Sequence, residues 1–377
     1  MSSGTAALPI AEQSPTPTTA DFVDDVLLGR CRELGLTEST LRALRHSQLS
    51  SAQRASATVR SILALAALSR GDGTRADELL TSGKPVRSIE ERRLWLAASL
   101  YRACWLTPSA AASDEISRLT QALGNVSTET DVEQPALAEL AHGCAALAYA
   151  EGLLRATDVG AARNQLELVA NDDRQPRGVV VVARMLLAAI EVGVGRSDLA
   201  LGHIQVALHA SAGLGPEDRL LRLLLVGLLF AENRRLARAM LDDVIAGRYG
   251  AISTEQGTVA HLLRVLRLLA QHCPLELEHT VELRRALRWL LGRHVSAAWS
   301  LLIVSVLASA LVAADETCEA YDVLVQSAAE LRCRRIDGVA DLIDRQLATL
   351  RGQLGPDGFE PLLREAQRRR RLRASKD

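Results

Sequence analysis

From Asp21 onward apolar residues return every three to four positions, as on a helix with one buried side, and nowhere does a two-residue alternation persist. The pattern predicts helices over 21–34, 38–48, 51–70, 73–82, 87–105, 109–123, 134–152, 158–171, 177–194 and 197–212. It continues over 216–233, 235–247, 254–272, 275–292, 295–314, 316–334, 338–354 and 359–373. Gly71-Asp72-Gly73, Gly83-Lys84-Pro85, the run Asn171 to Pro176, Gly213 to Pro216 and Gly355-Pro356 supply the breaks. No Asn-Gly hairpin signal occurs, so the fold class is all-α. Residues 1–20 are rich in Ser, Thr, Pro and Ala without periodicity, and are expected to form a disordered lead.

A small motif recurs along these helices: a turn residue, an alanine five positions later, then an apolar residue after four more. It reads Gly71, Ala76, Leu80; Gly195, Ala200, Ile204; Glu232, Ala237, Leu241; and Asp315, Ala320, Leu324, with a further copy centred on Ala162 and Leu166. The alanines lie 86, 38, 37 and 83 residues apart, two single steps and two near-double ones. A step of that size is the length of a helical pair that stacks on neighbours like itself. Predicted helices fall into such pairs, joined by short loops that make each pair a hairpin. Where two helix axes cross closely a large side chain would force them apart, which explains the alanines. Ala188 and Ala308 stand twelve positions before Ala200 and Ala320, where the first helix needs a small residue for the same crossing.

On these residues the chain resembles the tetratricopeptide and tetratricopeptide-like repeat family. The copy most similar to that pattern runs from Val181 to Ala212 and holds Leu187, Ala188, Gly195, Ala200, Ile204 and Ala207. It lacks the family's aromatic residues and closing proline, since Ala212 stands where proline would be, and Leu225 occupies the small position of the next copy. The likeness covers 50–335, with 21–49 as N-terminal capping helices and 336–377 as C-terminal capping helices with a basic tail. It implies a right-handed α-solenoid of antiparallel helical hairpins that acts as a non-catalytic scaffold or adaptor. In such superhelices the first helix of each pair lines a concave groove. In this register Val182, Met185, Ala189 and Val192 would line one repeat, and Arg219, Arg222, Val226 and Leu229 the next. An apolar strip beside two arginines suits an acidic amphipathic helix or peptide, so a protein or peptide partner is expected. The alternative for the same residues is ordinary hairpin core.

Composition adds that 48% of residues are apolar but only 3% aromatic, so Leu, Ala and Val must build the core. A formal charge of −1 offers no global field for nucleic acid. The six cysteines are scattered without a CxxC pair and read as buried thiols in a reducing compartment. The first 17 residues show neither a basic nor an apolar signal region, and a cytoplasmic location is the expectation.

Candidate chemistry is sparse. His142 and Cys144 are two apart on a helix and point different ways, and His272-Cys273 sits at a helix end before Pro274. The run Gly193-Val194-Gly195 closes a helix with no strand before it, and neither a phosphate-loop nor a GxSxG pattern occurs. No catalytic residue, cofactor, metal or small-molecule substrate is therefore expected.

Val295–Ala314 carries no charge and is long enough to span a membrane, but Ala308 and Ala320 keep the repeat register through it, which favours a buried helix. The run Arg368 to Arg371, with Arg373, could meet nucleic acid or anionic lipid, or could cap its own helix as a solvated end. A membrane-anchored or nucleic-acid-linked regulator is the alternative function.

Overall fold

The computed structural model describes residues 56–69, 73–82, 86, 88–104, 110–127, 135–212, 214, 219–248, 258–271, 275–293 and 296–374. The expected lead and the helices at 21–34 and 38–48 lie outside the described residues. Among those described, every regular element is a helix. They run α1 Ala57–Ser69, α2 Gly73–Thr81, α3 Ile89–Cys104, α4 Ala110–Ser127, α5 Pro135–Arg155, α6 Val159–Ala170, α7 Arg177–Gly193 and α8 Ser197–Ser211. The rest are α9 Arg219–Glu232, α10 Arg234–Ile245, α11 Thr258–Gln271, α12 Leu277–Arg293, α13 Ala297–Ala313, α14 Thr317–Cys333 and α15 Asp337–Ala374. The last comprises the two helices expected at 338–354 and 359–373, which meet at a kink where the Gly355-Pro356 break was expected. Only Gly355 leaves helical geometry, at φ 65° and ψ 176°. Pro356 restarts the helix at once, in the first-turn position where its missing N–H costs nothing.

One turn geometry explains the recurring motif. Thr157, Gly195, Asp315 and Arg335 all adopt a left-handed conformation, with φ between 59° and 77°. At each, the next N–H reaches back five residues to a helix-end carbonyl: Asp158 to Leu153 at 3.0 Å, Arg196 to Glu191 at 2.8 Å, Glu316 to Leu311 at 2.9 Å and Ile336 to Leu331 at 2.9 Å. That closure satisfies orphaned carbonyls and sends the chain back on itself. Five residues after these turns stand Ala162, Ala200, Ala320 and Ala340, all fully buried. Leu166, Ile204 and Leu324 are buried one turn further on. The copy at Glu232 is built differently. Glu232 ends α9, and Asn233 accepts a hydrogen bond from Leu236 N at 3.0 Å to start α10, with no left-handed residue between them.

Consecutive helices pack together, most extensively α7 with α8 and α14 with α15. The chain also makes contacts that an array of nearest neighbours does not make. Helix α13 packs against α9, α7 and α5 as well as α14, while α15 packs against α5, α7 and α13. Most of α13 is buried, including Leu301 to Ala308 and Ala310–Leu311. At Gly227 of α9 an added Cβ would overlap Val306 of α13, so the two helices cross where a side chain is missing. At Gly338 a Cβ would run into the Leu154 carbonyl at the end of α5. One apolar cluster accordingly extends from Ala146 to Leu350, with smaller clusters among α1–α5. The helix within the uncharged stretch, Ala297–Ala313, is thus a core helix, which explains why it lacks an amphipathic pattern. Among the described residues no helix is long and apolar enough to cross a membrane.

Candidate functional site

The residues expected to line a partner groove do not form an open one. Met185, Ala189, Val226 and Leu229 are buried, and Val182 and Val192 are half-buried against the main core. Arg222 is 7% exposed and donates from Nη2 to the Leu214 carbonyl at 3.0 Å. Arg219 opens α9, and its side chain lies outside the described residues. The strip on α7 and α9 is packing surface, in helices that meet α13. The groove expectation assumed that helices meet only their neighbours in the chain, whereas the uncharged α13 from later in the chain also packs against α7 and α9.

Three buried ionic centres hold this arrangement. In the first, Glu151 of α5 faces the start of α13. It accepts from Ala297 N at 2.6 Å, Ala298 N at 2.8 Å and Ser296 Oγ at 2.8 Å. The free N–H groups of a helix start favour a negative charge, and Arg155 Nε balances it at 3.0 Å. Nearby, burial pushes the Cys104 thiol up to about 12, which keeps it protonated. In the second centre, Glu191 of α7 pairs with Arg163 Nε of α6 at 2.6 Å and Arg196 Nε at 2.7 Å. The hydrogen bond to Glu191 holds the Arg163 guanidinium above its usual value.

The third centre absorbs the C-terminal arginines. Glu316, Glu319 and Asp322 recur every three residues at the start of α14, and all three are buried. Arg284 of α12 donates to Glu319 Oε2 at 3.1 Å and to Asp322 Oδ2 at 2.5 Å. From α15, Arg369 Nη1 lies 3.4 Å from both Glu316 and Glu319, and Arg370 Nη2 lies 2.6 Å from Asp322 Oδ1. Burial alone would lower Arg369, but its bond to Glu365 and the charge of Glu319 outweigh that and raise it. Cys318 on the same helix is pushed up to about 11 by burial. Arg369 and Arg370 are therefore neither a solvated cap nor a free anion site. The sequence held the signal, three acids on one helical face and a later arginine run, but not their pairing.

Apolar exposure concentrates elsewhere. Leu199 and Leu236 stand at the same register of α8 and α10, while Leu168 and Val206 match in α6 and α8. Helix α8 carries Leu199, Gly202 and Val206 on one face, and Asp198 is its only Asp, Glu, Lys or Arg. An added Cβ at Gly202 would meet nothing within 4 Å. A shallow cleft between α11 and α12 is lined by His261, Arg264, Glu278, Glu282 and Arg285, but its charges are mixed, with Arg264 and Glu282 paired at 3.4 Å. Among the described residues no group of three or more His, Cys, Asp or Glu could hold a metal ion. No family model, curated protein or solved structure matches the chain.

Proposed function

We propose that the protein is a non-catalytic interaction scaffold, a tetratricopeptide-like array of antiparallel helical hairpins that meets its partner on its outer face. What carries this reading is the outer side of α8, where Leu199 at 47% and Val206 at 43% exposure flank Gly202 on an almost uncharged helix. Exposed aliphatic side chains cost solubility, and a glycine in mid-helix costs about 1 kcal/mol against alanine. Together they suit a partner helix that lies close to the α8 backbone. The inner side, where an acidic peptide was expected, meets the chain's own α13. A membrane-anchored or nucleic-acid-linked regulator has less support, because α13 is core and Arg369 and Arg370 are engaged with α14.

The test is proximity crosslinking followed by affinity capture, comparing wild type with Leu199→Glu plus Val206→Glu. Both side chains are exposed, so the variant should fold and melt like wild type while losing its crosslinked partners. Retention of every partner by the folded variant would place the interaction elsewhere.

A further inference from the structure

The second half of α15, residues 356–374, is weakly buried. Among its described side chains only Ala366 is buried. It joins the rest of the chain through Gly355, whose positive φ suits a residue without a side chain and whose surroundings are open. Its contacts with α14 include an edge-on contact of Phe359 with Tyr321, ring centroids 5.7 Å apart, and a long hydrogen bond from Cys318 Sγ to the Leu362 carbonyl at 4.0 Å. Against this, Arg369 and Arg370 reach three acids that are themselves buried.

Attachment is thus electrostatic at one end and hinged at the other. Lifting the segment away removes the Arg369 and Arg370 guanidiniums from Glu316, Glu319 and Asp322. With the segment lifted away, Arg284 still pairs with two of the acids, Glu319 and Asp322. The chemistry that completes the cluster is a helix presenting adjacent arginines, since two consecutive residues here serve the three acids.

We propose that residues 356–374 are an exchangeable arm that occupies an arginine-recognition site on α14, and that this site receives an arginine-bearing helix of a partner protein. The site is separate from the α8 face and stands or falls independently of it. A partner lacking paired arginines does not replace the arm, because it would not supply the guanidiniums that Arg369 and Arg370 bring to Glu316 and Asp322. The arm lowers the apparent affinity of any such partner by the fraction of time it is docked.

The experiment uses the full chain and a fluorescent synthetic peptide of residues 356–374 as probe, read by anisotropy. Arg369→Glu plus Arg370→Glu in the chain should release the arm by placing carboxylates against carboxylates. This variant should bind the peptide about tenfold more tightly than wild type does. A peptide carrying the same two substitutions should not bind. Hydrogen exchange should quicken over 356–374 and stay unchanged in α7–α9. Equal peptide affinity for the two chains, or an arm still protected in the variant, would overturn the proposal. Self-association of the variant without peptide binding would also overturn it, because the face would then take a second copy of the chain. Should the variant fail to fold, wild type settles the matter: a saturating excess of the 356–374 peptide should quicken exchange of the chain's own arm alone, and no change would refute an exchangeable arm.

Discussion

Glu151 and Ala297 stand 146 positions apart in the chain, and the Ala297 N–H donates to Glu151 Oε1 across 2.6 Å. With the Ala298 N–H and Ser296 hydroxyl, this bond ties the first turn of an uncharged helix to a buried carboxylate on α5. The helix can therefore be apolar on every side, because its polar end is satisfied by a distant residue. Far-separated parts of the chain are closed on each other at this point.

Replacing Glu151 with Gln keeps the shape but removes the charge that Arg155 balances, and turns an amide N–H₂ toward N–H donors. The expected cost is about 3–5 kcal/mol, that of breaking a buried pair while its partner stays buried. Urea unfolding measures it, and an unchanged midpoint would mean that α13 is held by packing alone.

Two glycines should respond in opposite senses to alanine. At Gly338 the obstructing atom is the Leu154 carbonyl, a backbone group that cannot rotate aside, so Gly338→Ala should destabilise by about 1–3 kcal/mol. At Gly202 the space is open, so Gly202→Ala should stabilise the isolated protein by up to about 1 kcal/mol. Thermal melts of both variants decide whether α15 truly crosses α5 at that point.

Acid should weaken the protein before its carboxylates protonate. Burial, then the neighbouring Arg184, lowers His203 below its usual 6.5, against the opposing pull of Glu191 and Glu167. Arg184 Nη1 lies 3.2 Å from His203 Nδ1. Burial likewise lowers His142 and His261. Such a group is neutral in both states above 6.5, and its contribution to stability is fully present there. As pH falls the unfolded chain takes up the proton first, so stability drops until the folded value is passed. The urea midpoint should decline from about pH 7 to about pH 5, and His203→Gln should flatten part of the decline. A midpoint that stays level across this range contradicts the assigned burial.

Helices and their ends were readable because the information is local. Ala162, Ala200, Ala237 and Ala320 marked the crossings, and each proves fully buried. Arg335 starts a further copy, with Ala340 buried five residues on, that the sequence hid because arginine is an unexpected residue at a left-handed turn. Val182, Met185, Val226 and Leu229 were correctly read as apolar strips, but the sequence could not say what covers them. Periodicity reports that a face is buried but not what packs there, and α7 and α9 also meet α13, a helix from much later in the chain. The same limit applied to Arg222, whose role as a donor to the Leu214 carbonyl makes it an unsuitable groove charge. Glu316, Glu319 and Asp322 share one helical face by their spacing, but their pairing with Arg284, Arg369 and Arg370 is long-range and shows only in the structure.

The central claim is that α13 is a fixed part of the core, packed against α9, α7 and α5. Native-state hydrogen exchange tests it most directly. Amides from Leu301 to Leu311 should exchange only through global unfolding, with the largest protection in the chain and a denaturant dependence equal to that of complete unfolding. If those amides instead exchange through a smaller local opening while α7 and α9 stay protected, α13 is a removable insert, and the groove between α7 and α9 is a binding site after all.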